Sequence, residues 1–182
     1  MSNDIEIGRF KRARQAYSLD DVAIVPSRRT RDASDVSTSW QIDAYSFDTP
    51  FIGAPMDSVM SPATAIELGR QGGLGVLNLE GVWTRYEDPA KVLEEIASLE
   101  SATEYGSDPR ITRRLQELLA APIRPELIKA RLEEIRSAGV VVAGSLTPQR
   151  TQEHYKTVLE AGVDVFVIRG TTVSAEHVSK SV

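Results

Sequence analysis

Two polar residues stand where apolar segments of the chain end, and both are of types that bind ligands. Asp57 follows the apolar run 50–56, and Asn78 follows the run 73–77. If these runs are parallel β-strands, their carboxyl ends lie at one edge of the sheet, where α/β proteins bind ligands. A carboxylate accepts hydrogen bonds there, and an amide both donates and accepts them. The alternative is that each side chain caps the loop or helix that follows it.

The residue content excludes several kinds of reaction centre. The 182 residues include no cysteine, which excludes disulfides, thiolate metal sites and cysteine nucleophiles within this chain. His154 and His177 each lack a ligand-forming partner three or four residues away, so we predict no metal site. The glycine-rich stretch 72–75 precedes an apolar run, whereas a dinucleotide-binding loop must follow a strand and open a helix.

Short apolar runs alternate with segments of helical periodicity. The runs typical of buried strands are 50–56, 73–77, 139–144 and 163–168. The predicted helices are 63–71, 90–99, 111–119, 125–138 and 148–160, with a last one from about residue 174. Ser61 and Pro62 suit the N-cap and first position of the first helix. This order predicts an α/β fold with a parallel sheet, and periodicity leaves open a barrel or a doubly wound sheet.

The chain divides into an N-terminal arm and an α/β domain. We predict the arm at residues 1–49, with a hairpin or extended pair from Trp40 to Pro50, and the domain at 50–182 with a helical insert at about 84–138. Residues 1–31 carry seven basic and four acidic side chains. That stretch is either a solvated arm or a surface that meets phosphate or an acidic subunit.

Net charge and hydropathy narrow the class of protein. The formal net charge is −5, which does not favour non-specific binding to nucleic acid. No stretch reaches the roughly 18 to 20 apolar residues that a membrane span needs. The first ten residues have no apolar core of a signal peptide. We therefore expect a cytoplasmic protein that binds neither membranes nor nucleic acid.

Four motifs resemble a known enzyme family. The segments are YSLDDVAIVPS (17–27), PFIGAPMDSV (50–59), QGGLGVLN (71–78) and AGVDVFVI (161–168). They resemble the opening segment and the first, second and fourth barrel strands of the IMP dehydrogenase/GMP reductase family. Many members carry a pair of CBS modules after the second strand, and the roughly 60 residues at 79–138 are too few for that pair. The chain is similar to the short form without CBS modules.

The resemblance implies a (β/α)8 TIM barrel, of which this chain supplies about the first four βα units. In the family a cysteine attacks IMP and hydride passes to NAD, giving XMP on the way to GMP. That cysteine follows the sixth strand and the phosphate loops follow strands seven and eight, so we expect no catalytic residue in this chain. The implied partners are IMP, the chain's own C-terminal half and further subunits of a homotetramer. The need for a monovalent cation stays open.

The resemblance also assigns substrate-binding positions. Met56 stands where the family packs a thioether on the purine, and the alternative is a core methionine at a strand end. Ala54 stands where active members often have a serine that contacts IMP, so that hydroxyl is missing. Asp57 and Asn78 complete the expected substrate-binding set.

The segment after the fourth strand departs from the family pattern. Active members place there an aspartate that holds the nicotinamide ribose, whereas this chain has Arg169, Gly170, Thr171 and Thr172 as the implied cofactor-binding residues. Arg169 replaces an acceptor by a cation, so it could instead pair with a phosphate or with Asp57. Three hypotheses follow: an IMP dehydrogenase, an altered paralogue that binds a purine nucleotide for regulation or scaffolding, and a GMP reductase.

Overall fold

The computed structural model divides the chain into two compact units after Ser37. It describes residues 4–26, 29, 31–101 and 109–170. The sequence placed the end of the arm at residue 49. The division falls earlier because the hairpin predicted at 40–50 packs its aromatic side chains against the parallel sheet of the second unit. The helix expected from about residue 174 lies outside the described residues.

The first unit contains an antiparallel hairpin that the sequence did not reveal. Strands β1 (Asp4–Gly8) and β2 (Lys11–Arg14) pair with Glu6 opposite Arg12. Opposite charges on facing strands stabilise such a pair. The tight turn puts Phe10 at φ 64°, a conformation that is uncommon for an aromatic residue. That turn chemistry, with no Asn-Gly or Asp-Gly signal, explains why the hairpin was missed.

Among the described residues, the second unit contains a second hairpin, a four-stranded parallel sheet and five α-helices. The hairpin strands are β3 (Trp40–Ile42) and β4 (Tyr45–Phe47). The sheet strands are β5 (Ile52–Gly53), β6 (Leu74–Asn78), β7 (Ala143–Leu146) and β8 (Val165–Ile168), paired in chain order. The helices are α1 (Pro62–Arg70), α2 (Pro89–Ser101), α3 (Pro109–Ala120), α4 (Pro125–Ser137) and α5 (Pro148–Glu160). This confirms the predicted α/β class.

Local sequence signals explain where the helices begin and end. Each of the five begins with a proline, whose missing N–H has no partner to lose in the first helical turn. Ser61 caps α1 as predicted, because its hydroxyl accepts a hydrogen bond from the Thr64 backbone N–H at 3.0 Å. Gly72 follows α1 at φ 80°, which ends the helix in the left-handed conformation that glycine adopts without strain.

The strand predicted at 139–144 begins four residues later than expected. Gly139 has φ 73° and closes α4, so the chain must first turn back toward the sheet. The Val142 N–H then donates to the Asp164 carboxylate at 2.8 Å, and the Val142 carbonyl accepts from the Asp164 N–H at 2.9 Å. A side chain occupies the place of a ladder bond, so regular pairing starts at Ala143, opposite Val76.

Side chains alternate between the two faces of the sheet. One face packs against helices α1, α4 and α5 and forms the largest apolar core, with Leu77, Ile128 and Leu146 fully buried. The other face carries no helix among the described residues. It packs instead against the β3–β4 hairpin, through the apolar side chains Phe47, Leu74, Val76, Val141, Ala143, Val165 and Val167. Parallel strands in chain order with helices on one face only are the arrangement of a barrel, not of a doubly wound sheet.

The hairpin is fixed at the amino-terminal end of β8 by a hydrogen bond. The Tyr45 hydroxyl donates to the Asp164 carboxylate at 2.9 Å. That bond to a carboxylate raises the pKa of Tyr45 above its ordinary value. Trp40 stacks on Phe47 with ring centroids 4.5 Å apart, and its indole N–H donates to the Thr49 carbonyl at 2.7 Å.

The helical insert is smaller than predicted. Helix α4 packs on both α1 and α5, so it is the ordinary crossover helix between β6 and β7 and not part of an insertion. Only α2 and α3 form an additional layer, with a small core of Val82, Val92 and Leu118. The sequence could not separate α4 from α2 and α3 because all three segments carry apolar residues at helical spacing. Among the described residues no helix is long and apolar enough to cross a membrane.

Both edges of the parallel sheet lack a partner among the described residues. Ile52 on β5 is 57% exposed and Ile168 on β8 is 58% exposed.

We predict that the 182-residue chain by itself associates in solution, because unpaired strand edges add strands from other chains. Light scattering should give a mass above that of one chain. Lysine on both edge strands (Ile52→Lys with Ile168→Lys) should shift the distribution toward monomers. A monodisperse wild-type monomer with a dispersed NMR spectrum would contradict this.

Candidate functional site

Asp57 and Asn78 meet at the carboxyl edge of the sheet, as predicted from their positions. The Asn78 amide donates to the Asp57 carboxylate at 3.4 Å, a weak bond. The second oxygen of Asp57 accepts from the Val82 N–H at 2.9 Å, and the Asn78 amide oxygen accepts from the Glu80 N–H at 3.3 Å. Asn78 therefore caps the loop that follows it, as the capping alternative predicts, whereas Asp57 holds the loop after the neighbouring strand β6.

The Asp57 carboxylate lies in a partly buried and closely packed environment. Burial raises the pKa of Asp57, against the opposing effects of the Val82 N–H and the Asn78 amide. The Gly81 backbone approaches the carboxylate so closely that any side chain at that position would overlap it. Asp57 is thus a structural acid, held in place at a cost to its charged form.

Met56 and Ala54 lie in the turn that follows β5. The Met56 carbonyl accepts from the N–H groups of Val59 and Met60 at 2.9 and 2.8 Å, which fixes the backbone of the turn. The Met56 side chain is 51% exposed, and Ala54 is exposed as well. Met56 is therefore not buried among the residues that the structure describes. Its thioether stands at the carboxyl edge of the sheet, with surface to offer to an apolar or aromatic group.

Arg169 follows β8 and joins the far edge of the sheet to the first strand. Its guanidinium donates to the Pro55 carbonyl at 2.8 Å and to the Glu80 carboxylate at 2.8 Å. The alternative expectation that Arg169 pairs with Asp57 is wrong. Arg169 forms its ion pair with Glu80 instead. Gly170 is exposed next to Arg169. Thr171 and Thr172 lie outside the described residues.

Glu80 is the residue at this edge that sequence reasoning missed. Its carboxylate accepts from the Thr147 N–H at 3.0 Å and from the Thr147 hydroxyl at 3.1 Å, in addition to Arg169. Only 13% of the Glu80 side chain is exposed. A signal was present, because Glu80 stands two residues after Asn78 and so lies on the same face of the chain as it leaves β6. Through Glu80 and Arg169, the ends of β5, β6, β7 and β8 are tied together.

One buried hydroxyl lies beneath this polar layer. Ser145 pairs with Asn78 and Val167 in the strand register, and its side chain is fully buried. Its hydroxyl has no hydrogen-bond partner among the residues that the structure describes. It therefore marks the place where the polar carboxyl edge gives way to the apolar layer of Val76, Ala143 and Val165.

The sequence matches one family model along nearly all of its length. Residues 16–182 match the model described as IMP dehydrogenase / GMP reductase domain. The chain belongs to the IMP dehydrogenase/GMP reductase family. The resemblance of the four motifs is thereby confirmed, and the parallel sheet and its helices are the first four βα units of that family's TIM barrel.

The mycobacterial and corynebacterial relatives are about twice as long as this chain. An uncharacterized oxidoreductase of Mycobacterium tuberculosis is 48% identical over 176 residues, which are 96% of this chain and 46% of that protein. The inosine-5'-monophosphate dehydrogenase of Methanocaldococcus jannaschii is 36% identical over 66 residues, which are 36% of this chain and 13% of that protein. A crystal structure of an IMP dehydrogenase/GMP reductase-like protein from Corynebacterium glutamicum has a TM-score of 0.86 at 45% identity, and the match covers 97% of this chain and 47% of that one.

The described side chains at the carboxyl edge of this IMP dehydrogenase/GMP reductase domain offer groups that can bind a ligand. The 182 residues contain no cysteine, and in the described part of the chain no three His, Cys, Asp or Glu side chains are grouped to hold a metal. What the edge offers is an exposed thioether, a carboxylate–guanidinium pair and backbone groups. These suit a flat, polar ligand.

The raised pKa of Asp57 predicts a specific dependence of stability on pH. A carboxyl group whose folded pKa lies above the unfolded value of about 3.9 stabilises the fold below that value, and this contribution is lost as the pH rises through the folded pKa. Wild type should therefore gain stability relative to Asp57→Asn on acidification. Urea unfolding of both proteins at several pH values between about 3 and 7 measures the difference. Asp48→Asn, at an exposed position, is the control, and a pH-independent difference for Asp57→Asn would contradict the assignment.

Proposed function

We propose that the protein carrying this chain is a purine-nucleotide oxidoreductase of the IMP dehydrogenase type, which converts IMP and NAD to XMP and NADH in the cytoplasm. The observation that supports it most directly is the half-barrel of this family with an exposed Met56 beside a polar carboxyl edge. Relatives of matching sequence bear the names oxidoreductase and inosine-5'-monophosphate dehydrogenase. The further parts of the proposal are a closed barrel made with the C-terminal half and a homotetramer.

The described residues have distinct roles in this proposal. Met56 packs its thioether on the flat purine base, because a polarisable side chain adapts to an aromatic face. Asp57 and Asn78 hold the loop after β6 in place, and Ala54 leaves space without a hydroxyl. These residues bind and orient IMP. The proton and hydride steps belong to residues outside this chain.

At position 169 the chain departs from the NAD site that the resemblance implies. The resemblance implies an acceptor for ribose hydroxyls at position 169, and the side chain there is a guanidinium bound to Glu80 and Pro55. The residue at that position does not fit the nicotinamide ribose in the implied way. This favours, as a second candidate, an altered paralogue that binds a purine nucleotide for regulation or scaffolding. A GMP reductase, with the same fold and a nicotinamide cofactor, is the third.

The reaction is tested by NADH formation from IMP and NAD. We expect turnover by the intact protein and none by the 182-residue chain, which has no cysteine to form a covalent intermediate. Oxidation of NADPH with GMP in place of this reaction would support the reductase. Tight IMP binding without turnover in either assay would support the paralogue, and turnover by the 182-residue chain would contradict the role given to the missing cysteine.

Replacing Met56 tests the purine contact. Met56→Ala should weaken IMP binding by about 1 kcal/mol, roughly fivefold in Kd, because about half of the thioether surface is available for the base. Calorimetry on the intact protein measures this, and Met56→Leu should retain most of the affinity. Leu159→Ala is the matched control, since Leu159 is 59% exposed at the opposite end of α5. Equal Kd values for Met56→Ala and wild type would remove Met56 from the site.

A further inference from the structure

Glu80 and Arg169 form a fixed ion pair at the centre of the carboxyl edge. The nearest oxygen and nitrogen of the two side chains are 2.8 Å apart. Thr147 holds the carboxylate through two hydrogen bonds, and the Pro55 carbonyl holds the guanidinium. Neither side chain can turn away without breaking bonds to a second strand end. The pair is therefore preorganised, unlike a surface ion pair between two mobile side chains.

The surroundings of the pair leave little net charge. Asp57 and Arg85 lie within electrostatic reach of it: Arg169 and Arg85 both act on Asp57, and Glu80 and Asp57 both act on Arg85. Two acids and two arginines thus balance one another. Arg150, which also acts on Arg85, has its own partner in Glu153 at 2.6 Å. An anion that binds Arg169 also lies near Glu80, whose negative charge offsets the attraction of the guanidinium.

Hydrogen-bonding capacity remains on both members of the pair. One oxygen of Glu80 accepts two bonds and the other accepts one, while a carboxylate has about four acceptor positions. Arg169 uses two of its five N–H groups on described residues. A hydroxyl group can donate to the first and accept from the second. A phosphate can only accept, and its charge is repelled by the carboxylate.

We propose that Glu80 determines specificity at this position, because it orients Arg169 and cancels its charge, so that the pair binds an uncharged hydroxyl-bearing group of the ligand and rejects phosphate. This inference rests on the proposed binding of a nucleotide-like ligand at the carboxyl edge. The resemblance implies a hydrogen-bond acceptor at position 169, where this chain has Arg169. Glu80, on the neighbouring element, supplies that acceptor instead.

One consequence concerns the substitution that the sequence alone suggests. Arg169→Asp would restore an acid after β8, which looks favourable for hydroxyl binding. In the structure the new carboxylate would face Glu80 without a cation between them, and like charges at that distance repel. Arg169→Asp should therefore weaken hydroxyl binding rather than strengthen it.

The test compares an anionic and a neutral probe on the intact protein. Inorganic phosphate and inosine are titrated by calorimetry into wild type, Glu80→Gln, Arg169→Ala and the double variant. Glu80→Gln keeps an acceptor for Thr147 but frees the guanidinium, so it should show a phosphate-binding event roughly tenfold tighter than any at this position in wild type. That event should vanish in the double variant. Inosine affinity should fall roughly tenfold in Glu80→Gln and in Arg169→Ala.

Two further variants separate specificity from simple loss of structure. Glu80→Asp keeps the charge and should still reject phosphate, which also covers the case in which Glu80→Gln does not fold. Glu160→Gln, which breaks the exposed pair with Lys129, should change neither titration, because that pair does not hold Glu80 or Arg169.

The outcomes distinguish this inference from the proposed function. Phosphate affinity unchanged in Glu80→Gln, or equally raised in Glu80→Asp, would overturn the charge cancellation whatever the protein's reaction is. Inosine binding that is insensitive to Glu80 and Arg169, or absent from wild type, would overturn the hydroxyl site. Failure of the intact protein to bind IMP would refute the proposed function, while the phosphate titrations would still decide the role of Glu80.

Discussion

Parallel pairing of β5, β6, β7 and β8 in chain order is the constraint on which the other features of the second unit depend. Because successive residues point to opposite faces, the register sends Leu77 and Leu146 toward the helices and Val76 and Ala143 toward the hairpin. The same register carries every strand end to one edge. A shift of one residue in any strand would exchange its two faces and remove its polar end from the site.

The carboxyl edge is held together by side chains as well as by the ladder. Glu80 and Arg169 connect the loops after four strands, and Asp57 and Asn78 connect the first two. A buried carboxylate is costly unless it is well bonded, and Glu80 meets that condition with three described donors. The loop geometry at this edge therefore depends on a balanced set of charges, and a ligand that enters must match that balance.

Family membership accounts for the fold of the chain, and contacts at the carboxyl edge account for Arg169. Membership in the IMP dehydrogenase/GMP reductase family explains the sheet and its helices. It does not explain Arg169, whose role follows from the contact with Glu80. The chain spans about half the length of its matching relatives, and the apolar face against the β3–β4 hairpin is the interior of the barrel that the rest of such a protein would close.

Local signals in the sequence determined most of the elements of this protein. Apolar runs indicated the strands, Ser61 and Pro62 indicated the start of the first helix, and four motifs indicated the family, because each of these depends on residues close together in the chain. Asp57 and Asn78 could be placed at one edge by the general geometry of parallel strands. The late start of β7, the role of α4 and the Glu80–Arg169 pair could not be foreseen. The two members of that pair are 89 positions apart in the chain, and only the parallel register of β6, β7 and β8 brings their charges to hydrogen-bonding distance.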